Sequence, residues 1–345
     1  MHEFRRLVQT ISDTLDDAEI KLPDDWQQTD VRLSMTLSEN PLVLEVGKEL
    51  AYLFDGDRTH PFVAEMLPMM YDGLFYELGV PFPDLHGRAA SDVPPWSARI
   101  VINDIPAGEV EVRPDSFMVN DSAVAMVARG FAAEPAVNPA NGNPCAWIPS
   151  HQAAAVGELG LTVWDVGGVL ILALTSVLRH IAADFIGVDE VRAMLEQIEP
   201  VFPRLVAETV PKTVPLFLLT DVLRRLVAEE VSIRDLRRIL IALAEWGRVD
   251  NDPVMLTEYV RAAMQRYITH KWGRGQNTLP VVLLDPKIEE MIQSATRHTA
   301  TGSHVNLQPK CHAAILRAIR GLLAGAAAAL LRAVALRTGA TATGP

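Results

Sequence analysis

The pattern of apolar and polar residues in the first quarter of the chain predicts a mixture of short strands and helices. Apolar and polar residues alternate from Val31 to Leu37, which is the period of a strand. Apolar residues recur at helical spacing from Leu42 to Phe54 and again from Pro61 to Leu78, so both stretches are predicted to be helices. Gly79 suits the position that follows a helix end.

The next stretch has a β pattern that is followed by an irregular segment. Ser97–Asp104 is rich in β-branched residues and alternation resumes over Glu109–Pro114, so the two runs predict a hairpin. Residues 133–150 contain four prolines and three asparagines, a composition typical of irregular surface chain. We interpret this segment as the edge of an inserted subdomain, with a short helix over 152–159 and a strand over Leu161–Trp164 after it.

From Gly168 onward the pattern becomes mainly helical. Ser232 is a good N-cap for one of these helices, and Asp235 stands three residues later in a position like that of a capping-box acid. The apolar stripes predict helices over residues 169–186, 189–198, 214–229, 232–246 and 253–272. The remaining patterns predict a short strand over 279–284 and helices over 286–294 and 309–337.

Composition and charge exclude several classes of protein. The 345 residues are 49% hydrophobic and 21% charged, which is ordinary for a globular protein and excludes a disordered or fibrous chain. A formal net charge of -12 disfavours nucleic-acid binding, because phosphate repels an acidic protein. Acidic residues concentrate in 1–57 and basic residues in 286–345, which indicates either contact between subdomains or neighbouring copies, or two solvated faces.

The chain is expected to be soluble and cytoplasmic. No stretch reaches the about 20 apolar residues that a transmembrane helix needs, and the N-terminus lacks the apolar core of a signal peptide. The longest uncharged apolar run, Val166–Leu178, is predicted to be a buried helix. Cys145 and Cys311 are too few for a disulfide framework, so a reducing compartment is expected.

No catalytic, cofactor-binding or metal-binding residue is predicted from the sequence. It contains no phosphate-binding glycine loop, no HExxH and no paired CxxC. His180 and Asp184 are four residues apart, but two possible ligands without a third are more often a surface pair. Trp147 and Trp164 could anchor a partner or fill the local core, and the sequence leaves both readings open.

Six stretches carry a family resemblance. Three lie in the helical half: FIGVDEVRAMLEQIEPVFPRLVAETVPKTVPL (185–216), VSIRDLRRILIALAEWG (231–247) and LTEYVRAAMQRYITHKW (256–272). Three lie earlier and in the same order: PLVLEVGKEL (41–50), LFYELGVPFPDLHGR (74–88) and RIVINDIPAGE (99–109). Together they resemble the cytoplasmic domain of the export-gate protein of type III secretion systems, the FHIPEP family, and its injectisome branch more than its flagellar branch.

The resemblance implies an α+β protein of several subdomains. Residues 1–30 would be a linker, and an α/β first subdomain would comprise 31–120 and 166–186. A small α+β second subdomain would be inserted at 121–165, an all-helical third would cover 187–275, and an incomplete α/β fourth would cover 276–345. The sequence departs from the family from about residue 322, where the last strands of the fourth subdomain are expected. The family's N-terminal membrane half is also missing, so the chain alone is not expected to be a gate.

The resemblance also implies a function. Family members form a nine-membered ring at the cytoplasmic face of the bacterial inner membrane, receive chaperone–substrate complexes and gatekeeper proteins, and help to order protein export. They contact other export-apparatus components and are not known as enzymes, so no cofactor is expected. The alternatives are a folded fragment that does not assemble and, less favoured, a soluble enzyme with an unrecognised site.

Candidate residues for these roles follow from the resemblance. Arg234, Arg237 and Arg238 are candidates for ring contacts, because the family places much of that contact on the third subdomain. The partner-binding positions of the flagellar branch align with Asn138, Asn141 and Leu172, none of which keeps the residue type. The injectisome branch is thought to bind partners between the second and fourth subdomains, so Trp147 and Trp164 are the candidates there.

Overall fold

The structure is a computed structural model that describes residues 41–54, 60–273, 283–299 and 302–322. Over these residues the protein is a mixed helix-and-sheet (α+β) chain, and the elements below belong to one compact unit, Leu42–Pro345. The strand predicted over Val31–Leu37 and most of the one predicted over 279–284 lie outside the described residues. The subdomain boundaries given above stay a prediction.

The first sheet has four strands in the order β2-β1-β3-β4, with β1 and β2 parallel and the other pairs antiparallel. A hairpin forms here as predicted, as β3 and β4, but its turn lies at Asn103 and Asp104, with φ angles of 46° and 65°. The loop predicted at residues 106–108 is wrong, because these residues lie in β4, which pairs with β3. The strands are β1 Leu42–Val46, β2 His86–Ala89, β3 Ser97–Ile102 and β4 Ile105–Glu111.

The helix predicted over 42–54 is wrong in its first half. Leu42–Val46 is the strand β1, and a 3₁₀ helix occupies Lys48–Phe54. β1 lies between β2 and β3, and four of its five side chains are buried. A strand buried on both faces is apolar throughout, so its periodicity does not separate it from a helix.

Two helices cover the first sheet and build the first core. Helix α1 (Leu67–Leu78) continues from a helical turn at Phe62–Met66 and ends at Gly79, as predicted. The second of these helices is α4 (Val166–His180), which follows two shorter α-helices in the chain. Asp165 caps α4 by accepting a 2.8 Å hydrogen bond from the Gly168 amide. The core they share includes Leu44, Leu50, Phe62, Leu74, Ile100, Leu170 and Leu174.

The second sheet is antiparallel, with strand order β6-β7-β5-β8. One of its faces joins the first core through Met118, Cys145 and Trp147, and the other forms a small core with Met126 and Val156 of two short helices. The elements are β5 Ser116–Val119, α2 Ala123–Ala128, β6 Glu134–Val137, β7 Pro144–Pro149, α3 Ala153–Glu158 and β8 Val163–Trp164.

A helical block follows and has its own core, which includes Val191, Leu219, Leu223, Ile239, Leu240, Leu243, Leu256 and Val260. The single helix predicted over 253–272 is two helices that are separated at Met264. The helix predicted from Ser232 begins instead at Leu236, with Asp235 as its N-cap. The block comprises α5 Val188–Ile198, α6 Pro203–Thr209, α7 Leu216–Ala228, α8 Leu236–Trp246, α9 Pro253–Ala263 and α10 Gln265–Gly273.

The last described part contains α11 (Pro286–Ala295), the hairpin of β9 (Thr296–Thr299) and β10 (Gly302–Val305), and helical chain over 309–322. None of the side chains described between 283 and 322 is buried. The apolar residues of α11, such as Ile288 and Ile292, are half-buried, so the described part of this region has no closed core.

Arg99 joins three strands and a loop through carboxylates on the outer face of the first sheet. It donates hydrogen bonds to Asp92 (2.7 Å), Glu109 (2.9 Å) and Glu45 (3.2 Å), and Glu45 also accepts a 2.6 Å bond from Arg88. The hydrogen bond from Arg99 is the main reason that the pKa of Asp92 lies below its usual value.

This ion-pair network predicts an acid-sensitive contribution to stability. Because the folded-state pKa of Asp92 is depressed, its stabilising effect is full above the unfolded-state pKa, about 4, and is lost as the pH falls. We expect Asp92→Asn to be less stable than wild type at neutral pH and to approach it as the pH drops from about 5 to about 3. Urea unfolding across that range measures this, with Glu196→Gln, which changes an exposed carboxylate on α5, as the control. A constant difference between Asp92→Asn and wild type over the range would contradict it.

Candidate assembly and docking surfaces

Trp147 and Trp164 lie in one row across the second sheet. Met118 of β5 pairs with Trp147 on one side and with Trp164 on the other, so the three side chains share a face of the sheet. Trp147 is buried, Trp164 is half-buried, and both pack against the first core. The guanidinium carbon of Arg113 lies 5.7 Å from the Trp147 ring centroid. The row therefore supports the sheet from within, and it offers a partner little more than the rim of Trp164.

The two asparagines that align with flagellar partner-binding positions form the turn between β6 and β7. Asn138 is 2% exposed, and its side-chain oxygen accepts a 2.8 Å hydrogen bond from the Ala140 amide. The Asn141 side chain accepts a 2.9 Å bond from the Asn143 amide and is exposed. Asn138 is therefore a turn-forming residue, whereas Asn141 remains accessible. Leu172 lies half-buried on α4 against the first core.

The three candidate ring-contact arginines are exposed, and each already contacts a group of its own chain. Arg234 donates a 3.0 Å hydrogen bond to the Tyr76 carbonyl oxygen, and its guanidinium carbon lies 4.2 Å from the Tyr76 ring centroid. Arg237 lies over the Phe202 ring at 4.9 Å. We define the exposed residues Arg234, Asp235, Arg237, Arg238 and Ile241 as the arginine segment.

Tertiary contacts explain why Arg234 precedes the helix and does not lie on it. The amide of Ile233 donates a 2.9 Å hydrogen bond to the Leu78 carbonyl at the end of α1, so this residue cannot join α8. Asp235 then caps α8 by accepting a 3.1 Å bond from the Arg238 amide. The placement of Arg234 on a 232–246 helix is therefore wrong, although its exposure agrees with a contact role.

A concave surface of about 430 Å³ adjoins the arginine segment, between α8 and α10. Arg238 reaches Asp235 at 3.4 Å, whereas Arg266 and His270 have no ion-pair partner among the described residues. Arg266 and His270 are one turn apart on α10, so both face the same concavity with Tyr267 at its wall. This basin is suited to carboxylate side chains. The sequence search missed it because its residues lie on two helices.

A second cleft, of about 400 Å³, lies where the chain enters and leaves the second sheet. Its lining includes Tyr52, His60, Phe117, Asp115 and Asp165. Burial, and next the charge of Asp165, raise the pKa of the Tyr52 hydroxyl. Asp165 is occupied as the cap of α4, so the cleft offers little converging chemistry.

The described part of the chain has neither a metal-binding cluster nor a membrane-spanning helix. There, no group of three or more His, Cys, Asp or Glu side chains is placed to hold a metal ion. No helix within those residues combines the length and the apolar character that crossing a bilayer requires.

Solved structures with the same fold define the class of protein. The chain matches the Chlamydia pneumoniae CdsV protein with a TM-score of 0.74 and 34% identity, over 82% of each chain. CdsV in its complex with CdsO matches with a TM-score of 0.72 and 33% identity, over 81% of each chain. The nonameric SctV-C of EPEC matches at 0.64 and 24% identity, over 82% of each, which supports the fold alone. The fold is that of the cytoplasmic domains of type III secretion export-gate proteins.

The chain belongs to the FHIPEP family, whose sequence profile matches residues 9–340. It is 35% identical over 247 residues to the low calcium response locus protein D of Yersinia pestis, covering 72% of this chain and 35% of that protein. It is 34% identical over 285 residues to the hypersensitivity response secretion protein HrcV of Ralstonia nicotianae, covering 83% of this chain and 40% of HrcV. The flagellar biosynthesis protein FlhA of Salmonella typhimurium is 28% identical over 276 residues, covering 80% and 40%.

These comparisons confirm the resemblance and its branch. The low calcium response locus protein D, at 35% identity, and HrcV, at 34%, are more similar to this chain than FlhA of Salmonella typhimurium is, at 28%. The chain spans 35% to 40% of the length of these relatives.

Proposed function

We propose that this chain is a docking platform of a type III secretion export gate, at the cytoplasmic face of the inner membrane. Copies assemble into a nine-membered ring, receive chaperone–substrate complexes and gatekeeper proteins, and help to order export without making or breaking a covalent bond. The observation that carries the proposal is the arginine segment, a basic, exposed surface beside Arg266 and His270 of the basin, which have no ion-pair partner among the described residues. The nonameric assemblies of SctV-C and EscV support the ring, and the CdsV–CdsO complex supports the binding of a partner protein.

Physical reasoning supports a ring with this surface at its contacts. Ring contacts are head-to-tail, so one face of a copy meets a different face of the next. Asp and Glu outnumber Lys and Arg by 43 to 31, so a neighbouring copy has carboxylates that could pair with the arginines. A ring also presents many copies of a weak docking site at once, which gives useful avidity from modest affinity.

Docking of partners is tested by binding. The wild-type chain is titrated with a cognate secretion chaperone–substrate complex over a range of salt concentrations. Binding that is saturable and weakens with salt supports the docking role, because an acidic platform binds basic patches electrostatically. If the complex binds this chain no more tightly than it binds an unrelated acidic protein, the docking role is contradicted.

Reversing two charges of the arginine segment should weaken assembly. We expect the double variant Arg237→Glu, Arg238→Glu to assemble at least about tenfold more weakly than wild type, since like charges across a contact repel. Sedimentation velocity and native mass spectrometry over a concentration series measure this. The matched control is Arg317→Glu, Arg320→Glu, which reverses two exposed charges on the helical chain at 309–322. Equal assembly of both variants, or a wild-type chain that stays monomeric, would overturn the proposed ring surface.

A further inference from the structure

Helix α1 has a face that stays largely exposed among the described residues, where Arg234 contacts one end of it. Met69 is 71% exposed and Tyr76 is 72% exposed, and Asp72 and Gly73 lie between them on the same side of the helix. The opposite side carries the buried residues Leu67, Met70, Leu74 and Leu78. We call Met69, Asp72, Gly73 and Tyr76 the α1 stripe.

Gly73 is an unexpected residue in this helix. Glycine in a helix interior costs about 1 kcal/mol relative to alanine. Apart from its own stretch of helix, a side chain at Gly73 would meet no atom within 4 Å, so no contact among the described residues requires glycine here. Its place between two large exposed side chains is instead what a close approach by another molecule would require.

The α1 stripe is continuous with the arginine segment. The Arg234 guanidinium lies against the Tyr76 ring, and Arg234 adjoins Asp235 at the rim of the basin. One surface thus runs from Met69 through Tyr76 and Arg234 to the basin. We call the first sheet and the helices that cover it, α1 and α4, the α/β body. The surface belongs to the α/β body at one end and to the helical block at the other.

The size of a stable interface indicates that a second copy of this chain covers the α1 stripe. A specific interface buries about 800 Å² on each partner and involves roughly 20–30 residues a side. The five-residue arginine segment is far smaller than that, so the ring contact must extend over neighbouring surface. The α1 stripe is the adjoining exposed apolar surface, and at 1.5 Å per residue its helix adds about 18 Å of length.

We infer that the α1 stripe is part of the contact between copies of this chain, and that Gly73 lets the neighbouring copy approach the α1 backbone closely. This inference rests on the proposed ring and extends its contact from the helical block to the α/β body. The neighbour presents a different face, because the contacts of a ring are head-to-tail.

The deciding experiment uses Gly73→Leu. Leucine is a better helix former than glycine and has free space here, so the variant should resist urea at least as well as wild type. Its bulk should nevertheless weaken assembly at least tenfold in sedimentation velocity. Only a contact between molecules makes stability and assembly change in opposite directions. Gly157→Leu on α3 is the matched control, because a side chain there also meets nothing within 4 Å and assembly should be unchanged.

A second pair of variants tests the contact independently, in case the interface accommodates leucine at position 73. Met69→Glu should weaken assembly, whereas Ile105→Glu, which alters an equally exposed apolar residue on β4, should not. If the wild-type chain and both stripe variants assemble equally while the Arg237, Arg238 variant does not, the inference fails and the ring stands. Normal assembly with lost chaperone binding would show that a different partner covers the stripe. A wild-type chain that never assembles overturns the inference together with the ring.

Discussion

Gly79→Ala should lower the free energy of unfolding by about 2–4 kcal/mol. Gly79 has a φ of +77°, and a β-carbon there would lie 2.7 Å from the Arg234 amide nitrogen and 2.9 Å from its Cγ. The left-handed backbone and the collision with a neighbouring backbone both oppose a side chain. Urea unfolding of the variant and the wild-type chain measures the loss.

The Gly79 prediction has a control that separates strain from collision. Gly130 also has a positive φ, +87°, but a side chain there would meet nothing within 4 Å. Gly130→Ala should therefore cost only the left-handed penalty, about 1–2 kcal/mol. If both variants lose the same amount, the close approach between α1 and residues 233–234 is not what makes Gly79 necessary.

The Gly79 variant should also weaken assembly. The end of α1 is where the α/β body contacts the helical block: Leu78 accepts a hydrogen bond from Ile233, and Glu77 pairs with Arg179 at 2.9 Å and with Lys271 at 3.9 Å. The α1 stripe and the arginine segment lie on either side of this junction. A shift there would change the angle between the two halves of the proposed contact surface.

Phe62→Ala should lower the free energy of unfolding by about 3–5 kcal/mol, because Phe62 is the largest fully buried side chain among the described residues. Phe62 is fully buried at the start of the helical turn before α1, and its ring meets Phe54 edge to face with centroids 5.7 Å apart. A side chain at Gly167 would come within 3.5 Å of it, so Phe62 also packs against the start of α4. Truncation would leave a cavity where three helical segments meet, because close-packed neighbours relax only in part.

Phe217→Ala is the comparison for this truncation. Phe217 is 75% exposed on α7, so its loss should change the free energy of unfolding by no more than about 0.5 kcal/mol. Chemical denaturation of both variants, with the slope of the transition checked against wild type, gives the two values. A loss below about 1 kcal/mol for Phe62→Ala would mean that its neighbours collapse into the space.

Local pattern was a reliable guide where an element has one buried face. The β3–β4 hairpin, the α1 helix ending at Gly79 and the amphipathic helices of the helical block were all predicted from spacing, and the structure confirms that they exist. The prediction failed for Leu42–Val46, because burial on both faces removes the alternation that identifies a strand. It failed again at Ser232, because the Ile233 amide bonds to α1 and the helix starts four residues later.

The candidate site residues divide in a similar way. The exposure of Arg237 and Arg238 follows from their place on the polar side of an amphipathic helix, and the sequence alone indicated it. That Trp147 faces the core, that Asn138 closes a turn, and that Arg266 and His270 join Arg238 around one basin did not follow from spacing. These facts depend on residues far apart in the chain.

By itself, the sequence determined the family, the alternation of α/β and helical regions, the acidic charge and the lack of a recognisable catalytic motif. Each of these depends only on residue type and on the local periodicity of apolar residues. Only the tertiary structure decided which exposed residues form one surface. The α1 stripe and the arginine segment are about 160 residues apart in sequence, roughly the distance from Tyr76 to Arg234. They meet because Gly79 has no side chain, so residues 233–234 can lie directly against the end of α1.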